Sequence, residues 1–328
     1  MLKSLSIRFG EILPHKTELD RIRIDLESIL DALVFLGTNL PRPLESLSLT
    51  RLPPLPLEQY NDPAFLALRA NLSLFEVHIG SVEAWTSPDT PLPEGVLTSC
   101  QPFYYDTLPG RLLTPPSAAT GLENLEALAL CFSDDVGVFP LTYPFSKLHF
   151  PRLRALRLQH VQFSVARDAE NFILQHAETL LELHLLHAQI AISMSAEEST
   201  DALNDPKFNF RPEVQRRFWS EIYEKLNKKL QRLVFLDVDD AWWIIPERYV
   251  AYNSELKEII QIMAAGRDDD TYQLEIFRNT VRDRADKLAT EYEREYFPSS
   301  SKPLPILMKN HLASFPIRDR EEFVCDCR

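Results

Sequence analysis

Apolar residues recur along the chain in one short pattern. It reads LKSLSI at 2–7, LESLSL at 44–49, LFEVHI at 74–79, LEALAL at 125–130, LRALRL at 153–158 and LLELHL at 180–185, with a looser copy, LVFLDV, at 233–238. In most copies the final residues alternate apolar and polar, and in LEALAL leucine alternates with alanine, which predicts a short strand with leucines on one face and the intervening residues on the other. The middle apolar residues, Leu5, Leu47, Val77, Leu128, Leu156, Leu183 and Leu236, are separated by 42, 30, 51, 28, 27 and 53 residues. Three spacings fall near one period of about 27 and two near twice that, the range of a repeated strand-and-return unit.

The segments between strands change period from two to 3.6. Residues 25–37 place Ile29, Leu30, Leu33 and Val34 on one helical face and are expected to stop at Gly37. Residues 168–180 do the same from Asp168, with Ala169, Phe172, Ile173, Ala177 and Leu180. A longer helix is predicted over 212–230, where Val214, Phe218, Ile222, Leu226 and Leu230 recur every four residues. The stretch 86–116 is rich in proline and reads as an extended insertion rather than a helical return. The expected fold is therefore α/β: an irregular leucine-rich-repeat solenoid over 1–245, with parallel strands on one face and helices on the other. A helical extension follows over 246–297, carried by stripes at Leu256, Ile259, Ile260 and Met263 and then at Leu274, Phe277, Val281, Leu288 and Tyr292, and a flexible tail over 298–328.

Composition narrows the chemistry. The chain has 328 residues, 45% hydrophobic and 25% charged, with a formal charge of −13 spread over both halves. A field of that sign repels a phosphate backbone, so nucleic acid is not an expected partner; the one dense basic run, KLNKKLQR at 225–232, falls in a predicted helix. The eight glycines never come closer than eleven residues, which excludes a dinucleotide fingerprint, a Walker loop and a G-x-S-x-G elbow. No apolar run suits a secretory signal or a membrane span, and four cysteines make no disulfide framework, so an intracellular setting, cytoplasmic or nuclear, is expected. Cys325 and Cys327 read as reduced thiols on the tail, and Cys100 and Cys131 as small buried hydrophobes.

Residues 148–164, LHFPRLRALRLQHVQFS, followed by AENFILQHAETLLELHLLHAQI at 169–190, resemble the leucine-rich region of filamentous-fungal F-box proteins. The resemblance rests on Phe150, Pro151, Leu153, Leu156, Leu158 and Phe163, then His176, Thr179, Leu180, Leu183, Leu185 and Ile190. It implies a right-handed α/β solenoid and, where an F-box is present, substrate recognition for a ubiquitin ligase. No F-box is recognised in the chain, which opens on a repeat strand, so a Skp1-like adaptor is expected as a partner only where an F-box lies upstream of Met1.

The expected working surface is the exposed strand face, formed by Glu76, His78, Arg154, Arg157, Gln159, Glu182, His184, Asp237 and Asp239, with Lys3, Ser4, Ser6, Arg8, Glu45, Ser46, Ser48 and Thr50 on the first two strands. Basic groups gather on the fifth strand and acidic ones on the sixth and seventh, so a protein partner of mixed charge is expected, and Arg157 and His184 should be neighbours. His184 and His187 lack further ligands nearby, and Asp237, Asp239 and Asp240 lack a D-x-D-x-D-G loop, so no metal or cofactor is expected. Trp242 and Trp243 point to opposite faces of an extended segment, which leaves two readings: one ring exposed to anchor an interface, or, the commoner outcome, both buried against the C-terminal helix. No nucleophile has a base in a recognisable pattern, and the protein is not expected to be an enzyme; the alternatives are a stand-alone repeat protein, or an enzyme with a cleft between the solenoid and the C-terminal helices.

Overall fold

The computed structural model describes residues 2–9, 18–40, 42–81, 99–113, 122–137, 143–164, 168–192, 194–195, 213–214, 217–239, 249–251 and 267–296. The predicted helix over 253–266, the Trp242–Trp243 pair, Asp240, and Cys325 and Cys327 lie outside them.

Seven strands, β1 (Ser4–Arg8), β2 (Ser46–Leu52), β3 (Leu74–Ile79), β4 (Ala127–Val136), β5 (Ala155–Phe163), β6 (Glu182–Leu186) and β10 (Phe235–Val238), form one parallel sheet. Their spatial order is the order of the chain, β1-β2-β3-β4-β5-β6-β10. Beside β5, β7 (Gln189–Ile192) pairs with β11 (Tyr249–Ala251), and β8 (Met194–Ser195) and β9 (Glu213–Val214) form a separate antiparallel ribbon.

Every strand of the main sheet after β1 is entered in the same way. The amide before each strand donates to the carbonyl at the equivalent place in the preceding one, from Glu45 to Lys3, Ser73 to Glu45, Glu126 to Ser73, Arg154 to Glu126, Leu181 to Arg154 and Val234 to Leu181, at 2.7–2.9 Å. This repetition fixes the register. Leu5, Leu47, Phe75, Leu128, Leu156, Leu183 and Leu236 stand side by side. The third copy of the pattern is thus centred on Phe75 and not on Val77, and the spacings become 42, 28, 53, 28, 27 and 53, a more regular series than the motif alone suggests.

The leucines of the strands point to one side, where the helical returns cover them. These are α1 (Glu18–Asn39), α2 (Pro63–Ala70), α3 (Asp168–Leu174) and α4 (Trp219–Lys229), whose Leu26, Phe65, Phe172 and Trp219 share a single buried cluster with Leu47, Leu128 and Leu156. α5 (Arg267–Tyr296) follows, and buries Leu274, Phe277 and Val281 in the same core. Aromatic rings run through this layer in edge-to-face and tilted contacts from Tyr60 by way of Phe103, Tyr104, Phe132, Tyr143 and Phe145 to Phe172, with centroids 4.5–6.4 Å apart, so neighbouring returns are joined ring to ring.

Four elements depart from the sequence reading. Gly37 does not end α1, which continues to Asn39; a Cβ there would lie 2.4 Å from the Ala64 carbonyl oxygen, so the glycine lets α1 and α2 touch. The helix predicted over 212–230 begins only at Trp219, because Phe218 is extended and Glu213–Val214 belong to β9. α3 is shorter than the expected 168–180, ending at Leu174. Within the proline-rich insertion, Phe103–Leu113 is a π-helix that accommodates Pro109 and buries Phe103, Tyr104, Leu108, Leu112 and Leu113. The wider turn of a π-helix reconciles proline with a helical return. Its end is held by the buried Arg69, which donates from Nη1 to the Leu112 carbonyl at 2.6 Å.

Candidate functional site: the strand face and its carboxyl edge

The side chains opposite the leucines form rows across the sheet. The central row is Ser6, Ser48, Glu76, Ala129, Arg157, His184 and Asp237, one residue from each strand in turn. The expected adjacency of Arg157 and His184 is present as a register pair. Ser48 Oγ donates to Glu76 Oε2 at 2.9 Å, and His184 Nδ1 lies 3.3 Å from Asp237 Oδ2, so neighbouring strands are tied along the row. On the N-terminal side runs a second row, Ser4, Ser46, Leu74, Ala127, Ala155, Glu182 and Phe235.

Two of the expected contact residues are not exposed. Glu182 is 3% and His184 7% accessible, because the His184 ring packs 5.0 Å from that of Phe235 and reaches towards both Asp237 and the Glu182 carboxylate, 4.0 Å from Nε2. Arg154 is exposed, while Glu76, His78, Arg157, Gln159, Asp237 and Asp239 are half-buried. In the middle of the face, Ala127, Ala129, Cys131 and Ala155 form a small buried floor against Leu74. The Cys131 thiol is pushed up to about 12, chiefly by burial, with Arg157 opposing and Glu76 adding to the shift. It is a protonated packing group at neutral pH. Cys100 is raised equally by burial, with Asp134 contributing.

A second group of polar residues gathers where the strands end, and most of it was missed in the sequence. Arg51, His160 and His187 all adopt positive φ, 60°, 55° and 48°, two residues past the core leucines Leu49, Leu158 and Leu185 of β2, β5 and β6. That left-handed step turns the next residue, Leu52, Val161 or Ala188, back into the core. It also stacks the His160 and His187 rings, 4.7 Å apart and within 12° of parallel. Asp135 lies 3.4 Å from His160 Nδ1, and Asp239 lies 3.3 Å from His187 Nε2, so Asp135 of β4, His160 of β5, and His187 and Asp239 just past the ends of β6 and β10 form a carboxylate–imidazole–imidazole–carboxylate chain along the edge. The available signal was the repeat itself, since His160 and His187 sit 27 residues apart at one repeat position. Because the rings are face to face, their in-plane lone pairs run side by side and do not converge on a common ion. Among the described residues no cluster of His, Cys, Asp or Glu is arranged to hold a metal.

Beside this chain, His78 Nε2 stands 3.3 Å from Ser133 Oγ. Burial pulls the imidazole down to about 4, with Glu76 opposing and Arg51, His160 and Arg8 adding to the fall. The ring is neutral at pH 7 and too weakly basic to drive a serine efficiently.

One further histidine explains the two-repeat motif at 148–190. His176, 2% accessible, accepts at Nε2 from the Phe150 amide at 3.1 Å, and its Nδ1 lies 2.7 Å from the Phe172 carbonyl. It ties the loop before β5 to the end of α3. Its pKa is lowered to about 4 by burial, with the Phe172 carbonyl opposing and His149 adding to the fall.

No family model, curated protein or solved structure matches the chain. No helix among the described residues is long and apolar enough to cross a membrane.

Proposed function

We propose that the chain is an irregular leucine-rich-repeat solenoid acting as a protein-interaction scaffold, with a partner read on the polar strand face and its carboxyl edge. The observation that carries this reading is the repeated geometry: seven parallel strands in chain order, each after the first entered by the same hydrogen bond, with the described helical returns packed into one core. An array of this kind leaves its other face lined with one position per strand in each row, polar here except at the alanine floor of β4 and β5, which is how solenoids present extended binding surfaces. The accessible part comprises Glu76, His78, Arg154, Arg157, Gln159, Asp237 and Asp239, with His160, His187 and Asp135 added at the edge. Its mixed signs suit a protein partner of mixed charge better than nucleic acid or a membrane.

The resemblance of 148–190 to fungal F-box repeat regions supports a narrower role, substrate recognition for a ubiquitin ligase. Co-purification of a Skp1-like adaptor with the protein from its native source tests that role; a partner bound without an adaptor favours a stand-alone repeat protein. The scaffold reading is tested by photo-crosslinking. A crosslinker at Gln159 should capture the partner and one at Asp31, exposed on α1, should not; the reverse pattern places recognition on the helical side.

A further inference from the structure

The two ends of the sheet are finished differently. At the C-terminal end α5 covers β10: Arg278 donates from Nη2 to the outward-facing Val238 carbonyl at 2.9 Å, Arg284 donates to the Leu230 carbonyl at 2.8 Å, and Leu274, Phe277 and Val281 close the core. At the other end β1 pairs, among the described residues, with β2 alone. Leu5 and Ile7 of β1, and Ile22, Ile29 and Leu36 of α1, pack against the core but stay partly exposed, and Leu2 is 42% accessible. Most of the incompletely buried residues of this core lie in these first two elements. Val34 of α1 is partly exposed as well; of these four, Ile22, Ile29 and Leu36 recur every seven residues, the spacing of a helix-packing seam.

The polarity of the open edge follows from the ladder. Lys3 accepts from β2 and Phe9 donates to it, so the odd residues of β1 face β2 and the backbone groups of Ser4, Ser6 and Arg8 point outward. We propose that this end is an interface between two copies of the chain, joined by antiparallel pairing of β1 with β1. A twofold axis through Ser6 sets Ser6 against Ser6 and Ser4 against Arg8 of the second copy, which satisfies all the outward groups in one register. Leu5 then lies opposite Ile7 on the core side, and no like charges face each other, since Lys3 meets Phe9 and is itself paired with Glu45 at 3.0 Å. Head-to-tail growth is blocked because the edge it needs, that of β10, is covered by α5. The isologous contact therefore closes at two copies. This goes beyond the partner-binding reading and does not depend on it.

Sedimentation velocity of the full chain over a concentration series tests the proposal. The wild type should approach the dimer mass at tens of micromolar. Ser6→Pro removes an outward N–H while leaving the β1–β2 bonds intact, and should weaken the dimer about tenfold or more with the circular dichroism unchanged. Hydrogen exchange gives a readout that does not depend on the variant folding: the Ser4, Ser6 and Arg8 amides of the wild type should exchange more slowly as concentration rises. A wild type that stays monomeric, or a dimer in which these amides gain no protection, overturns the proposal.

Discussion

His176 offers the sharpest quantitative test of how the repeats are held together. Its unprotonated Nε2 accepts the Phe150 amide while Nδ1 lies against the Phe172 carbonyl, so a second proton breaks the first bond and puts a charge in the core. The folded pKa of about 4 lies below the ordinary 6.5, so between these values the unfolded chain holds the extra proton. The stabilisation is therefore complete above about pH 6.5 and is lost as pH falls towards about 4, with about 2–3 kcal/mol lost near pH 4.5. Replacing the ring by leucine leaves the Phe150 amide without its acceptor and should cost about 2–4 kcal/mol at about pH 7.5. Denaturant titrations followed by far-ultraviolet circular dichroism give both quantities. His176→Leu should be well below the wild type at neutral pH, and the gap should nearly close near pH 4.5, because the wild type has by then lost what the variant never had. A gap that is constant or widens on acidification refutes the assignment of His176 as a neutral, buried tie. His78 is half-exposed and present in both proteins, so it leaves the comparison unaffected.

Gly37→Ala should destabilise by about 1–3 kcal/mol in a thermal melt despite alanine's better helix propensity of about 1 kcal/mol, because the Cβ must displace the Ala64 carbonyl. Glu170 is fully buried between Arg217 and Lys225, so Glu170→Ala, which strands the Arg217 guanidinium, should cost about 3–5 kcal/mol in the same measurement. Cys100 and Cys131, both raised to about 12 by burial, should resist a thiol reagent at neutral pH until denaturant is added; rapid labelling of either in the native protein would contradict the packing described for it.

The strands were legible because a period-two pattern with leucine on one face survives any context, and even the misplaced third copy was out by only two residues, a step that keeps the same face. What escaped was set by contacts distant in sequence. Nothing near Glu182 and His184 says that Phe235 and Asp237, more than fifty residues on, will cover them. The left-handed residues at the edge were hidden because arginine and histidine stand where glycine would have signalled the turn. Gly37 misled in the opposite sense, since its lack of a side chain serves a helix contact and not a helix end. Pro109 masked a helical return because a π-turn is rare enough that proline ordinarily argues against any helix.

The central claim is that the strand face, not the helical layer, carries recognition. The most direct measurement is the affinity of the purified partner for the wild type and for a variant combining Arg154→Ala, Arg157→Ala and Gln159→Ala, side chains that project from β5 and from the residue before it, away from the core. The account predicts at least about a tenfold loss of affinity with an unchanged melting temperature. Undiminished binding by a correctly folded variant would contradict it.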